Sequence, residues 1–203
     1  MRSVGAQFFL HLRMKKSEIR KIYLGKRKSL SDDEVFLFSE KIFTNFVNYF
    51  TPVSGQKVHV FIPIKKFKEV DTQLFITYFQ SRNIRVFVPK IVDTKLISVE
   101  IFPDTKFVTN NWGISEPVSD DDSGVLDFDY VITPLLYCDK NGNRVGYGKG
   151  FYDNFFESVS ENTKKIGVNY FDADDSIDDV WENDIPVDYL VTPAEVLSFL
   201  IGC

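Results

Sequence analysis

The sequence predicts an α/β protein: a single three-layer domain with an open, mostly parallel sheet and helices on both faces. Three observations predict it. Short runs of β-branched and aromatic residues alternate with longer segments of helical periodicity along most of the chain. In a run such as 57–64, Val58, Val60 and Ile62 alternate with His59 and Phe61, so both faces of the strand are suited to burial. The 203 residues, 44% hydrophobic and rich in Phe, suffice for one filled core.

Taken in order, residues 1–14 are read as an N-terminal extension outside the fold, and 15–203 as the domain. Val4 to Leu12 is apolar, but Gln7 and His11 interrupt it and no small-residue cleavage site follows, so Met14-Lys15-Lys16 is the natural start. Residues 15–28 form a helix with Ile19, Ile22, Tyr23 and Leu30 on its apolar side. Lys16 and Arg20, four apart, share a face. By spacing alone they are either a solvated basic face or a clamp for a polyphosphate. Ser31 and Glu34 make a capping box that opens a helix over 32–50, with Val35, Phe38, Ile42, Phe46 and Phe50 buried.

The strand at 57–64 carries His59, read as a packed histidine. A basic loop at 65–68 leads to Glu69-Val70-Asp71-Thr72, where Asp71 or Thr72 caps a helix to residue 81. Glu69 lies just past a strand's carboxyl end, where open α/β sheets hold ligands; a solvated loop position is the other reading. Residues 84–89 and 98–102 are strands, and 107–122 is irregular. Within it Trp112 either plugs the core edge or offers a flat face to an aromatic ligand. Asp120-Asp121-Asp122 and the acidic stretch 172–184 are read as solvated loops, the latter lacking the EF-hand pattern. Strands at 165–170 and 188–192 and an apolar tail at 196–201 close the chain.

The chemistry concentrates between these last elements. A strand at 129–133 and a turn at 140–143 lead to Gly146, Gly148 and Gly150, then a helix over 151–161. A loop of free N–H groups entering a helix N-terminus is an anion site, phosphate being the usual anion, and Arg144 and Lys149 add charge. Neither P-loop nor Rossmann spacing is met, so a flexible turn is the alternative. The net charge of -5 argues against non-specific nucleic-acid binding. Cys138 and Cys203 define no disulfide framework and suit a reducing compartment. No apolar run reaches the roughly 18 residues of a membrane span.

Residues 144–153, Arg144-Val145-Gly146-Tyr147-Gly148-Lys149-Gly150-Phe151-Tyr152-Asp153, resemble the hallmark of the 5-formyltetrahydrofolate cyclo-ligase family: Arg, Leu or Val, G-x-G-x-G, Tyr or Phe, Tyr, Asp. Lys16 to Arg20 with Lys26 to Ser31, Glu69 to Thr72, Trp112 to Pro117 and Val187 to Pro193 are similar to other family segments in the same order, over about residues 15–195. The resemblance implies the open-sheet fold that also serves sugar-phosphate isomerases and CoA transferases. It implies an ATP- and Mg²⁺-dependent enzyme converting 5-formyltetrahydrofolate to 5,10-methenyltetrahydrofolate, with ADP and phosphate released. The formyl oxygen is phosphorylated and the 10-nitrogen attacks the formyl carbon.

Carried over residue by residue, it implies ATP contacts from Lys16, Arg20, Arg144, Gly146, Tyr147, Gly148, Lys149, Gly150, Phe151 and Asp153. It implies catalytic roles for Arg144, Lys149 and Tyr152, folate contacts from Glu69, Trp112 and Tyr152, and Mg²⁺ on Asp153. Phe151 stands where the family often has Tyr and supplies no hydroxyl. A monomeric cytoplasmic enzyme of small molecules, without nucleic acid or membrane, is expected. A non-catalytic folate-binding homologue and an isomerase or transferase on the same fold are the alternatives, and ATP dependence separates them.

Overall fold

The structure is a computed structural model and describes residues 13–110 and 113–200. β1 (Arg13–Met14) leads into α1 (Lys16–Ser29) and α2 (Asp32–Phe50). The start of α2 is set by its capping box: the Glu34 N–H donates to Ser31 Oγ at 3.2 Å and the Ser31 N–H to the Glu34 carboxylate at 2.7 Å. Next come β2 (Lys57–Val60), α3 (Gln73–Ser81), β3 (Arg85–Val92), β4 (Lys95–Ile101), β5 (Phe107–Thr109) and β6 (Ser115–Pro117). β7 (Tyr130–Pro134), β8 (Tyr137–Cys138), β9 (Arg144–Val145) and α4 (Phe151–Ser158) carry the central motif. β10 (Lys164–Val168), β11 (Ser176–Ile177), β12 (Tyr189–Val191) and β13 (Val196–Ser198) follow.

The main sheet has the order β13-β12-β10-β7-β2-β3-β4. β12, β10, β7, β2 and β3 run parallel, and β13 and β4 close the edges antiparallel. Strand alternation sorts the side chains into two layers. Val58, Val60, Tyr130, Ile132, Ile166 and Val168 pack under α2 and α3 with Phe46, Phe75 and Phe79. Phe87, Val131 and Leu190 face the other way, toward Phe155 and Phe156 of α4. Each fully buried side chain of this size contributes about 1.5–3 kcal/mol. The three layers and the mostly parallel sheet are those the sequence predicts. A smaller cluster of Ile19, Tyr23, Tyr137 and Val145 docks α1 onto the β8–β9 hairpin.

Several boundaries differ from expectation. β2 stops at Val60 because the following chain is drawn off the sheet, where Thr72 Oγ1 donates to Phe61 O at 2.5 Å. β3 runs on to Val92 and turns through Asp93 (φ 55) straight into β4, so the expected strands are two arms of one hairpin. α4 ends at Ser158 because the Ser160 N–H leaves for Leu126 O at 2.8 Å. The apolar tail is the edge strand β13. On α1, Ile22, expected on the apolar side, is 41% exposed, and Arg27 is 3% exposed. Arg13 and Met14 pair with Ser176 and Ile177. The proposed extension otherwise lies outside the described residues.

From β2 the chain passes through α3 to β3 on one side; from β7 it passes through α4 to β10 on the other. β2 and β7 are neighbours, so the crevice beyond their carboxyl ends is the switch point of the sheet, where such sheets hold ligands. Glu69 follows one of these ends and the glycine loop follows the other.

Candidate active site

Glu69 is carried into the crevice by the irregular chain after β2 and is 4% exposed. Its Oε2 accepts from the Ile64 N–H at 2.6 Å and its Oε1 from the Tyr147 hydroxyl at 2.6 Å. Its own carbonyl accepts from Tyr170 Oη at 2.9 Å. Burial pushes the Glu69 carboxyl upward, and the Tyr147 hydroxyl, the charge of Arg27 and the Ile64 amide oppose this.

The glycine loop leaves β9 and enters α4. Gly148 has φ +83, a left-handed conformation that favours glycine, and an added Cβ would lie 3.2 Å from the Arg20 guanidinium carbon, so α1 and the loop approach closely here. Arg20 Nε donates to Gly146 O at 2.9 Å. Gly150 caps α4 at φ 71, and its carbonyl accepts from the Asp153 and Asn154 amides, each at 3.1 Å. Lys149 is exposed at the crest of the loop. The amides, the helix N-terminus and the flanking cations suit a polyphosphate.

The other expected residues are distributed unevenly. Arg20, Lys149 and the glycines gather at the loop, with Phe151 and Asp153 in the first turn of α4. Tyr147, expected on ATP, turns its ring away from the loop surface toward Glu69, with Phe67 5.4 Å away. Lys16 is not a free cation. Its Nζ pairs with Asp184 and its backbone N–H donates to Asp179 Oδ1 at 2.6 Å. Arg144 Nη2 pairs with Asp153 Oδ1 at 2.8 Å, and its guanidinium carbon lies 4.6 Å from the Phe156 ring centroid. Burial pulls the Arg144 pKa down, while the charges of Asp153 and Asp184 hold it up. Arg144 therefore holds Asp153 instead of reaching freely toward phosphate.

Tyr152 packs within the second core layer, its ring 6.0 Å from Phe156, and burial raises its pKa. Its hydroxyl is buried and has no partner among the described residues. Trp112 lies outside the described residues. His59 is packed, as expected, between Phe128 and Phe155.

Sequence reasoning missed two groups. Arg27 donates through Nη2 to the Tyr147 hydroxyl and through Nη1 to Leu135 O at 3.1 Å. The acidic stretch 172–184, read as solvated, is strapped across α1: besides Lys16, it holds Tyr23, whose hydroxyl donates to Asp175 Oδ2 at 2.9 Å. The only early signal was the matching charge of α1 and this stretch. Surface hollows elsewhere, one lined by Asn45, Asn48, Tyr49 and Glu195 and another by Arg85, Glu100, Asp121 and Asp122, lack a loop of free amides, so concavity is not what marks this site.

Asp153 and Asp184 also decide whether Mg²⁺ suits the site. Oδ1 of Asp153 serves Arg144 and the Ile185 N–H, leaving Oδ2. Among the described residues no group of three or more His, Cys, Asp or Glu forms a cage. That donor set fits an ion that binds through one or two carboxylates and takes its other oxygens from water and substrate phosphates.

Fold and site together define an α/β enzyme with a glycine loop and a buried carboxylate at the switch point of its sheet. The model of the 5-formyltetrahydrofolate cyclo-ligase family matches residues 13–193. The 5-formyltetrahydrofolate cyclo-ligase of Mycoplasma pneumoniae is 28% identical over 181 residues, covering 88% of this chain and 98% of that protein. The one from Escherichia coli strain K12 is 29% identical over 178 residues, covering 84% and 96%. The solved structure of 5,10-methenyltetrahydrofolate synthetase from Aquifex aeolicus is 31% identical, with a TM-score of 0.78 over 94% of this chain and 95% of that one. The chain belongs to the 5-formyltetrahydrofolate cyclo-ligase family.

Proposed function

We propose that the protein converts 5-formyltetrahydrofolate to 5,10-methenyltetrahydrofolate with ATP and Mg²⁺, releasing ADP and phosphate. The observation that carries this is the meeting of Glu69 and the glycine loop at one switch point, with the family match spanning both. A formyl oxygen on nitrogen is a poor leaving group. Transfer of the terminal phosphoryl group to it makes a good one, and the 10-nitrogen then attacks the formyl carbon.

In this reading the amides of residues 148–150 and the N-terminus of α4 receive the phosphates, and Lys149 neutralises charge developing on the transferred group. Arg20 keeps the loop closed through Gly146 O. Lys16 contributes through its pairing with Asp184, and Arg144 by orienting Asp153. Glu69 accepts from the polar edge of the pterin, and Tyr152 and Trp112 bound the folate side. Mg²⁺, held by Asp153 with Asp184 near it, would supply charge neutralisation to the phosphates. Among the described residues no helix is long and apolar enough to cross a membrane. A cytoplasmic monomer belongs to the same reading.

Absorbance of the methenyl chromophore tests it. A rise with 5-formyltetrahydrofolate and Mg-ATP, and none when either ATP or Mg²⁺ is omitted, is expected. Folate binding without any rise would point to the non-catalytic homologue. Lys149→Ala should lower kcat/KM by roughly a hundredfold, as removal of one charge-stabilising donor does. Its thermal midpoint should stay put, since Lys149 is exposed. Wild-type kinetics in that variant would remove Lys149 from the chemistry.

A further inference from the structure

The phosphate loop and the folate carboxylate are joined by one side chain. Tyr147 stands between Gly146 and Gly148, and its hydroxyl donates to Glu69 Oε1 at 2.6 Å. The same oxygen accepts from Arg27 Nη2. A guanidinium only donates, so the hydroxyl's own proton is committed to Glu69. Arg27 is 3% exposed and rooted on Leu135 O, just past β7. Among the described residues no carboxylate pairs with it directly, and the Glu69 charge one hydroxyl away is what offsets it. Phe67 covers the Tyr147 ring, 5.4 Å between centroids. The result is a buried cation, hydroxyl and carboxylate in series, with the carboxylate end at one substrate's place and the tyrosine backbone inside the other's loop.

We propose that Tyr147 and Arg27 are positioning residues that couple the two substrates, the Tyr147 hydroxyl passing occupancy of Glu69 to the phosphate loop and back. The proposal rests on the function given above. A ring that donates to Glu69 uses the lone pair that the Tyr147 hydroxyl leaves on the carboxylate, so the tyrosine holds the acceptor in the orientation the ring needs. The tyrosine backbone is the loop itself, with the left-handed Gly148 beside it as the hinge. Phosphates seated on the loop fix that backbone and hence the carboxylate. Because coupling between binding sites is reciprocal, each ligand then raises the affinity of the other by the same factor.

The experiment is calorimetric binding of 5-formyltetrahydrofolate with and without Mg²⁺ plus a non-hydrolysable ATP analogue, on the wild type, Tyr147→Phe and Arg27→Lys. In the wild type the nucleotide should tighten folate about fivefold or more. Tyr147→Phe keeps the ring against Phe67 and removes the hydroxyl alone, so the factor should fall to near one. The KM for each substrate should then cease to depend on the concentration of the other. If Tyr147→Phe does not fold, Arg27→Lys carries the test, since a lysine offers one nitrogen in place of the fork that reaches Leu135 O and the hydroxyl from two. A coupling factor unchanged in the folded variant, even with both affinities weakened, overturns the proposal and leaves the function intact. Two ligands that bind the wild type independently do the same. A wild type that binds neither ligand overturns the function and the proposal with it.

Discussion

Asp153→Ala is expected to lower the free energy of unfolding by about 3–5 kcal/mol and to abolish turnover. Arg144 is the reason for the first effect. Its side chain is 7% exposed, and Asp153 is its ion-pair partner. Its Nη1 has no hydrogen-bond partner among the described residues. Without Asp153 the buried guanidinium keeps the face of Phe156 and the charge of Asp184. Partial exposure of Asp153, 30% of its side chain, lets water reach the pair and argues for the lower end of the range.

Asp153→Asn separates stability from chemistry. The amide oxygen still accepts from Arg144 and Ile185 but carries no counter-charge, so the loss of stability should be smaller than in Asp153→Ala without vanishing. The variant loses the charge that a hard cation requires, so turnover should fall as in Asp153→Ala. Adding Arg144→Met to Asp153→Ala should restore most of the lost stability, because the unpaired charge goes with it. Urea midpoints and the chromophore assay measure both effects. An Asp153→Ala chain with the wild-type midpoint removes the structural half of this account; Asp153→Asn at full turnover removes the metal half.

The second large effect is set by pH. His59 is fully buried, both ring nitrogens lack partners among the described residues, and Phe128 and Phe155 lie 5.5 and 4.6 Å away. Burial lowers its pKa from 6.5 to about 3. The unfolded chain takes up this proton as pH falls through 6.5, and the folded chain does so only near 3. Between these values the unfolded state binds more protons, so stability falls with pH across that window. The loss reaches about 3 kcal/mol at pH 4. His59→Phe removes the titration while preserving an aromatic ring. The stability difference between pH 7 and pH 4 should shrink by that amount relative to the wild type, whose other groups cancel in the comparison. Parallel urea titrations at the two pH values measure it. The same pH dependence in both chains would mean that His59 is not held neutral.

The sequence by itself determined what is local. The two faces of each strand, the Ser31–Glu34 start of α2 and the glycine loop before α4 follow from side-chain period, capping chemistry and backbone freedom, all of which act within a few residues. The family resemblance was legible for the same reason, since its hallmark is ten consecutive residues. Only the tertiary structure decided which charges meet. Arg27 lies off the apolar side that the spacing of α1 predicts, yet it points inward because α1 docks on the β8–β9 hairpin, a partner that no periodicity in α1 announces. Tyr147 reaches Glu69 because β7 and β2 are neighbours, so residues far apart in the chain end beside each other. Lys16 meets Asp184, and part of the acidic stretch lies against α1, because β1 pairs with β11. Period and capping are written into neighbouring side chains, but the pairing of buried charges depends on strand order and on which helix covers which edge, and these are settled by the packing of the whole core.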